Sequence, residues 1–286
     1  MEFQKNVLLA KYTTFKIGGP ARYFFVAKNK TDLLKAVQEA KNRHWRFFFL
    51  GGGSNLLISD KGFNGLVIKM QNTEYKISKN VLTAGAGVSL ARLVSVAVNA
   101  GLSGMEWASG IPKATLGGAV RGNAGAFNSE IKDLIVTVEV LDTKNLKTKK
   151  FNNQACRFSY RSSVFKKNSD LIVLSCKLKF KKQKKEEIKK KTREILNYRK
   201  SHHPFNPSAG SIFKNLKRIR ARDLIEKAGL KGKQIGQAQI SPVHANFIVN
   251  LGGATSQDVL NLINLIKKQV KNKFNIKLEE EIQKIS

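Results

Sequence analysis

The stretch Phe47-Phe48-Phe49-Leu50-Gly51-Gly52-Gly53-Ser54-Asn55-Leu56-Leu57-Ile58 begins as an apolar run and breaks into three glycines, a serine and an asparagine. Consecutive apolar residues ending at a glycine cluster predict a short buried strand. Glycines without side chains let backbone N–H groups converge on a phosphate, and Ser54 and Asn55 add donors. A flexible hairpin loop accounts for the turn equally well when it stands alone. The turn is neither a Walker loop nor the dinucleotide fingerprint, because it lacks the Gly-Lys-Ser/Thr ending and the G-x-G-x-x-G spacing.

Working outward, Leu33, Leu34, Val37 and Ala40 recur at helical spacing and predict a helix over 31–43, with Thr31 or Asp32 as cap. Short strands are expected at 56–58, 66–68, 75–77 and 81–84, and a helix from Ser89, its cap, to Asn99. Longer strands are expected at 134–141 and 171–180. In the second, Ile172, Leu174, Cys176, Leu178 and Phe180 alternate onto one face, which predicts a core position for Cys176. Ahead of both strands runs a second glycine-rich stretch, Gly110 to Gly125. Two separate glycine-rich walls suit a dinucleotide cofactor better than a mononucleotide; a compact structural loop is the competing reading.

The composition changes at Lys181, where a basic segment runs to Arg199 and meets His202-His203-Pro204-Phe205-Asn206-Pro207, a natural junction. Beyond it a short helix is expected at 222–228, strands near 235–240 and 246–249, and a long helix over 256–274 with Val259, Leu262, Ile263, Ile266 and Val270 on its apolar face. The predicted architecture is α+β, in two parts.

The chain has 286 residues, of which 42% are hydrophobic and 25% charged, an ordinary globular balance that argues against disorder. Its 52 Lys plus Arg against 20 Asp plus Glu give a net charge of +32, which attracts polyanions at low salt. A nucleic-acid binder is the first function class this suggests. The lysines are scattered, however, and the densest run, 181–191, also carries Glu186 and Glu187, as a solvated helix or linker would. No zinc-finger spacing, basic zipper or aromatic RNA-binding signature accompanies them. Cys156 and Cys176 are too few for a disulfide framework or a four-thiolate metal site. His202-His203 has no carboxylate or Cys at ligand spacing, so no metal is expected. No signal peptide is read at the amino terminus and no stretch approaches the roughly 20 apolar residues of a bilayer span, so a cytoplasmic protein is expected. Gly210-Ser211-Ile212-Phe213-Lys214-Asn215 gathers a hydroxyl, an ammonium and an amide, without a Ser-His-Asp order. Glu279-Glu280-Glu281, taken alone, reads as a solvated tail.

Jointly these motifs resemble the bacterial UDP-N-acetylenolpyruvoylglucosamine reductases, flavoenzymes of peptidoglycan precursor synthesis. The resemblance starts at Tyr12-Thr-Thr-Phe-Lys-Ile-Gly-Gly19 and takes in the Leu50 to Leu57 turn, Gly101-Leu-Ser-Gly-Met-Glu106, the Gly110 to Phe127 stretch and Phe158-Ser-Tyr-Arg-Ser162. It continues through Ala209-Gly-Ser-Ile-Phe-Lys-Asn215, Ala228-Gly-Leu-Lys-Gly232, His244-Ala-Asn-Phe-Ile-Val-Asn250 and Leu278-Glu-Glu-Glu-Ile282. One such motif is weak, but this series in the family's order is highly specific. The segment before Ser211 is short and resembles the family's shorter-loop branch.

The resemblance implies a two-lobed FAD-binding domain of the vanillyl-alcohol-oxidase (PCMH) type over residues 1–181. A smaller α+β substrate-binding domain over 182–286 would follow, its tail returning to the active site. It implies NADPH as co-substrate, UDP-N-acetylglucosamine enolpyruvate as substrate and a monomer that needs neither nucleic acid nor membrane. Flavin contacts are implied at Gly51, Gly52, Gly53, Ser54, Asn55, Leu56, Gly110, Ile111, Pro112, Thr115, Gly118 and Gly125. Catalytic roles fall to Arg161, beside the substrate carboxylate, Ser211, as proton donor, and Glu281. Substrate contacts fall to Arg199, Lys214, Asn215 and His244. Glu279 and Glu281 fit the family's glutamates, and Glu280 replaces its usual proline. Lys113 stands where the family usually has glycine, and Arg121-Gly122 also departs from its pattern. Two rivals remain: another FAD oxidoreductase of the same fold, and a polyanion binder on an inactive flavoenzyme scaffold. The intact Arg161, Ser211 and Glu281 disfavour both.

Overall fold

The computed structural model describes residues 2–111 and 113–286, so Pro112, one of the implied flavin contacts, lies outside the described residues. Seven α-helices occur among them: α1 (Lys30–Asn42), α2 (Leu90–Asn99), α3 (Leu116–Gly122), α4 (Val164–Lys167), α5 (Lys185–His202), α6 (Ala221–Lys227) and α7 (Ser256–Phe274). The helix expected at 31–43 starts one residue earlier, and its cap is neither Thr31 nor Asp32. Asn29 takes that place, its side-chain oxygen accepting from the Asp32 amide at 2.8 Å. The short amide side chain reaches an otherwise orphaned first-turn N–H. Helix α7 runs over the span its apolar periodicity predicts and opens with a reciprocal Thr255/Asp258 capping box.

Two compact units divide the chain. The first consists chiefly of Phe24–Gly52 and Leu66–Arg199; the second gathers Gln4–Tyr23, Gly53–Gly65 and Lys200–Ser286. The division after residue 199 lies inside α5, close to the junction expected after Arg199, whereas the family resemblance implied a boundary at 181/182. Composition shifts where lysines begin, but the helix carries those lysines while burying Ile188 and Ile195, so it runs on past them.

In the first unit Phe47–Leu50 pairs in parallel with Phe63–Met70, from Phe47↔Leu66 to Leu50↔Lys69. A five-stranded antiparallel sheet follows the order Lys147–Asn152, Ile135–Asp142, Leu171–Lys179, Val81–Gly85, Tyr75–Ser78. Its inner face joins α2 and α3 in one core that includes Leu82, Leu93, Trp107, Val138, Phe165, Cys176 and Leu178. Burial pushes the Cys156 thiol up to about 11 and that of Cys176 higher still, so both remain protonated core groups. The second unit builds a four-stranded antiparallel sheet in the order Ser208–Ser211, Phe247–Asn250, Ala238–Ile240, Gln234–Ile235. Helices α6 and α7 bury Leu224, Ile225, Val259, Leu262, Ile263 and Ile266 in its core, which also takes in Phe15, Ile17 and Leu57. No helix among the described residues is long and apolar enough to cross a membrane.

Candidate functional site

In the first unit the two glycine-rich walls lie against each other. A Cβ on Gly51 would sit 2.6 Å from Thr115 Oγ1, and one on Gly52 only 1.7 Å from the Lys113 carbonyl oxygen. Bare backbone is therefore a steric requirement here. Lys113 itself adopts φ +55°, a left-handed conformation that favours the glycine its position usually holds. Thr115 precedes α3, a helix that the glycine-rich sequence masks, and its Oγ1 is buried with no hydrogen-bond partner. An orphaned hydroxyl facing side-chain-free backbone suits a polar ligand such as a flavin nucleotide. Gly110, Ile111, Gly118 and Gly125 lie in the same unit, whereas Gly53, Ser54, Asn55 and Leu56 belong to the second.

Arg161 sits at the tip of a tight turn closed by Ser159 and Ser162, whose amides and carbonyls exchange two bonds of 3.0 Å. Its φ of +53° is costly for a side-chain-bearing residue and marks a held position. One guanidinium nitrogen donates to the Gly125 carbonyl at 2.8 Å, and another lies 3.8 Å from Glu130 Oε1. Asn123 ties the turn to that carboxylate, donating to both Glu130 Oε2 and the Ser159 carbonyl. A planar guanidinium is thus aimed by the second glycine wall itself.

In the second unit the backbone delivers Ser211 through a bulge. Ser208 opposes Val249 and Ser211 opposes Phe247, so the Ser211 strand carries one extra residue, accommodated by Gly210 at φ +76°. The following residues are pinned by Asn246, which is 3% exposed: its Oδ1 accepts from the Phe213 amide at 3.0 Å and its Nδ2 donates to the Phe213 carbonyl at 2.8 Å. The Glu279-Glu280-Glu281 segment lies antiparallel alongside. The Lys214 amide donates to the Glu279 carbonyl at 2.9 Å, and the Glu281 amide to the Ile212 carbonyl at 2.8 Å. The tail is therefore a structured strand rather than a solvated end. Extended backbone alternates its side chains. Glu280 accordingly turns to Lys267 and Lys284 at 2.5 and 2.9 Å, and Glu279 pairs with Lys214 on the opposite side. Asn55 Nδ2 donates to the Glu281 carbonyl at 3.1 Å, and Gln283–Ile285 then pairs in parallel with Leu56–Ile58. Ser211 and Glu281 are thereby brought into neighbouring strands.

The residues expected at the substrate are placed differently from one another. Arg199 belongs to the first unit and donates to the Gly110 carbonyl at 2.5 Å. Asn215 accepts from the Ala221 amide at the start of α6 at 3.0 Å. His244 stacks on His203 with ring centroids 5.4 Å apart, and Phe247 meets its edge at 4.8 Å. Its Nδ1 accepts from the Asn246 amide at 3.3 Å, which leaves Nε2 as the protonated nitrogen of the neutral ring. Burial, reinforced by His203 and Arg222, pushes His244 down to about 4. An unfolded chain protonates this histidine near 6.5, so stability falls as pH drops from about 6.5 towards 4 and is independent of this group above that window. His244→Gln should flatten that limb of a plot of melting temperature against pH. Parallel plots for the two proteins would remove His244 from the effect.

Glu130, Asn123 and Asn246 escaped the sequence reading. Asn123 and Asn246 are polar residues within quoted motifs and Glu130 lies just past one, and only the fold shows that they hold the backbone around Arg161 and Ser211. Among the described residues no three His, Cys, Asp or Glu side chains gather as a metal cluster would require.

Residues 21–146 match the family model described as FAD binding domain, and residues 201–285 that of UDP-N-acetylenolpyruvoylglucosamine reductase, C-terminal domain. The chain is 44% identical over 280 residues to the UDP-N-acetylenolpyruvoylglucosamine reductase of Caldanaerobacter subterraneus, covering 97% of this chain and 92% of the relative. It is 41% identical over 283 residues to that of Bacillus pumilus, covering 98% and 92%. The crystal structure of the reductase from Thermus caldophilus superimposes with a TM-score of 0.85 at 36% identity, over 100% of both chains.

Proposed function

Since the chain belongs to the UDP-N-acetylenolpyruvoylglucosamine reductase family, we propose that it is an NADPH-dependent, FAD-carrying enzyme. In this reading it reduces UDP-N-acetylglucosamine enolpyruvate to UDP-N-acetylmuramate in the cytoplasm, acting as a monomer. The observation behind the residue-level reading is the bridge between Phe213 and Glu280, which lays the backbone that carries Glu281 alongside the backbone that follows Ser211.

Gly51, Gly52, Thr115 and Gly118, all of the first unit, would hold the flavin. When bound, FAD would supply two-electron hydride chemistry, with NADPH as the source of electrons and the terminal vinyl carbon of the substrate as the acceptor. Negative charge then grows on the adjacent carbon and its carboxylate. Arg161 meets that charge with a fixed guanidinium. Ser211 holds the proton that the carbanion receives through Oγ, a role that requires a dry, preorganised setting because a serine hydroxyl is a poor acid in water. Glu281 completes the polar setting around the developing charge. Lys214, Asn215 and His244 contact the nucleotide sugar, and Arg199 keeps further N–H donors for a diphosphate beyond the one on Gly110.

Anaerobic visible absorbance tests the reading on FAD-loaded protein. NADPH should bleach the flavin band and UDP-N-acetylglucosamine enolpyruvate should restore it; bleaching without recolouring would discard the substrate. Arg161→Lys should lower turnover roughly 100-fold or more, because a point charge lacks the planar fork. Wild-type kcat in that variant would exclude a directional guanidinium contact.

A further inference from the structure

Lys69 lies outside every motif that carries the family resemblance. It sits in the strand Phe63–Met70, in register with Leu50, the residue immediately before the glycine turn. From there Nζ donates to the Gly51 carbonyl oxygen. The side chain is half-buried, and desolvation pushes its ammonium below the usual lysine range, with no carboxylate acting on it. An ammonium drawn out of water without a counter-charge is unfavourable unless something else uses it.

The geometry of the peptide unit indicates that use. The Gly51 carbonyl and the Gly52 N–H belong to one planar trans peptide and point in opposite directions. With its carbonyl drawn to Lys69, that peptide must turn the Gly52 N–H away from the strand. That N–H makes no hydrogen bond to the described residues of the protein. Gly52 has no room for a side chain on the face towards Lys113, because a Cβ there would lie 1.7 Å from the Lys113 carbonyl oxygen. A cation on the carbonyl also polarises the amide and strengthens its N–H as a donor.

We propose that Lys69 is a positioning residue that orients and polarises the Gly51–Gly52 peptide, so that the Gly52 N–H is fixed as a donor to the diphosphate of FAD. The inference rests on the reading that this turn holds the flavin. It predicts that affinity for FAD and stability of the flavin-free protein respond separately to Lys69.

The test is a fluorescence titration of the full, flavin-stripped chain with FAD, with melting curves of the same stripped proteins. Lys69→Met should weaken FAD binding about 10- to 100-fold, the range of a lost hydrogen bond to a charged group. Its flavin-free melting temperature should stay level or rise, because an uncompensated charge has been removed. Lys69→Arg should recover most of the affinity, and Lys69→Gln, a neutral donor, should fall between. Unchanged FAD affinity in Lys69→Met would overturn the proposal. So would weak binding with an equal loss in flavin-free melting temperature across the variants, since that is the pattern of a structural lysine. Failure of the unmodified chain to bind FAD would instead overturn the flavin reading, and this inference with it.

Discussion

Ser211→Ala should leave flavin bleaching by NADPH intact and lower turnover of the enolpyruvyl substrate by roughly 10²- to 10⁴-fold, the usual contribution of a positioned proton donor. The change removes one oxygen and little else. Gly210 still supplies the bulge, Asn246 still grips Phe213, and the Glu281 amide still meets the Ile212 carbonyl, because all three are independent of Oγ. The two half-reactions should therefore separate in an anaerobic absorbance experiment, with the first at wild-type rate and the second arrested. Near-normal recolouring would remove Ser211 from the acid role. A loss of bleaching as well would mean that the substitution had disturbed more than proton delivery.

Gly52→Ala should abolish tight FAD binding, with a loss of at least about 100-fold, and lower the melting temperature. The added methyl would lie 1.7 Å from the Lys113 carbonyl oxygen and 3.2 Å from the Ala114 Cα. Backbone cannot swing aside as a flexible side chain can, so one wall must move, at about 1–3 kcal/mol or more. The same movement would shift the peptide whose N–H is offered to the ligand and the orphaned Thr115 hydroxyl beside it. Fluorescence titration and a melting curve report the two effects. An alanine variant that binds flavin as the parent does would show that the two walls are not in fixed contact.

Much of this was legible in the sequence because it depends on local pattern. The Gly51 to Asn55 turn follows an apolar strand, α7 has an uninterrupted apolar stripe, and the alternation through Leu178 placed Cys176 in the core. What stayed hidden was set by contacts distant in sequence. Helix α3 contains three glycines in seven residues, so helical propensity argues against it, yet packing of Leu116, Ala119 and Val120 into the core overrides that preference. Glu280 resembles its two neighbours until the strand pairing shows that it faces lysines on α7 and beyond, while Glu279 faces Lys214. Lys69 is one lysine among many by composition, and only the register with Leu50 brings its stem to the glycine turn. The charge of +32 was the least informative signal, since exposed lysines such as those of Lys147–Asn152 decorate surfaces that the fold leaves to water.

The second unit takes its residues from both sides of the first in sequence, and this has a temporal consequence. A ribosome that has finished residue 65 must add all of 66–199 before the rest of that unit begins to appear. At roughly 5–20 residues per second that interval is on the order of ten seconds. For its duration Phe15, Ile17 and Leu57 have none of their later core partners, and Leu56–Ile58 has no Gln283–Ile285 to pair with. The first unit can collapse around its own core meanwhile, leaving an apolar leader and an unpaired strand edge exposed to other nascent chains. Slow decoding late in the message would thus show as aggregation before it showed as lost activity.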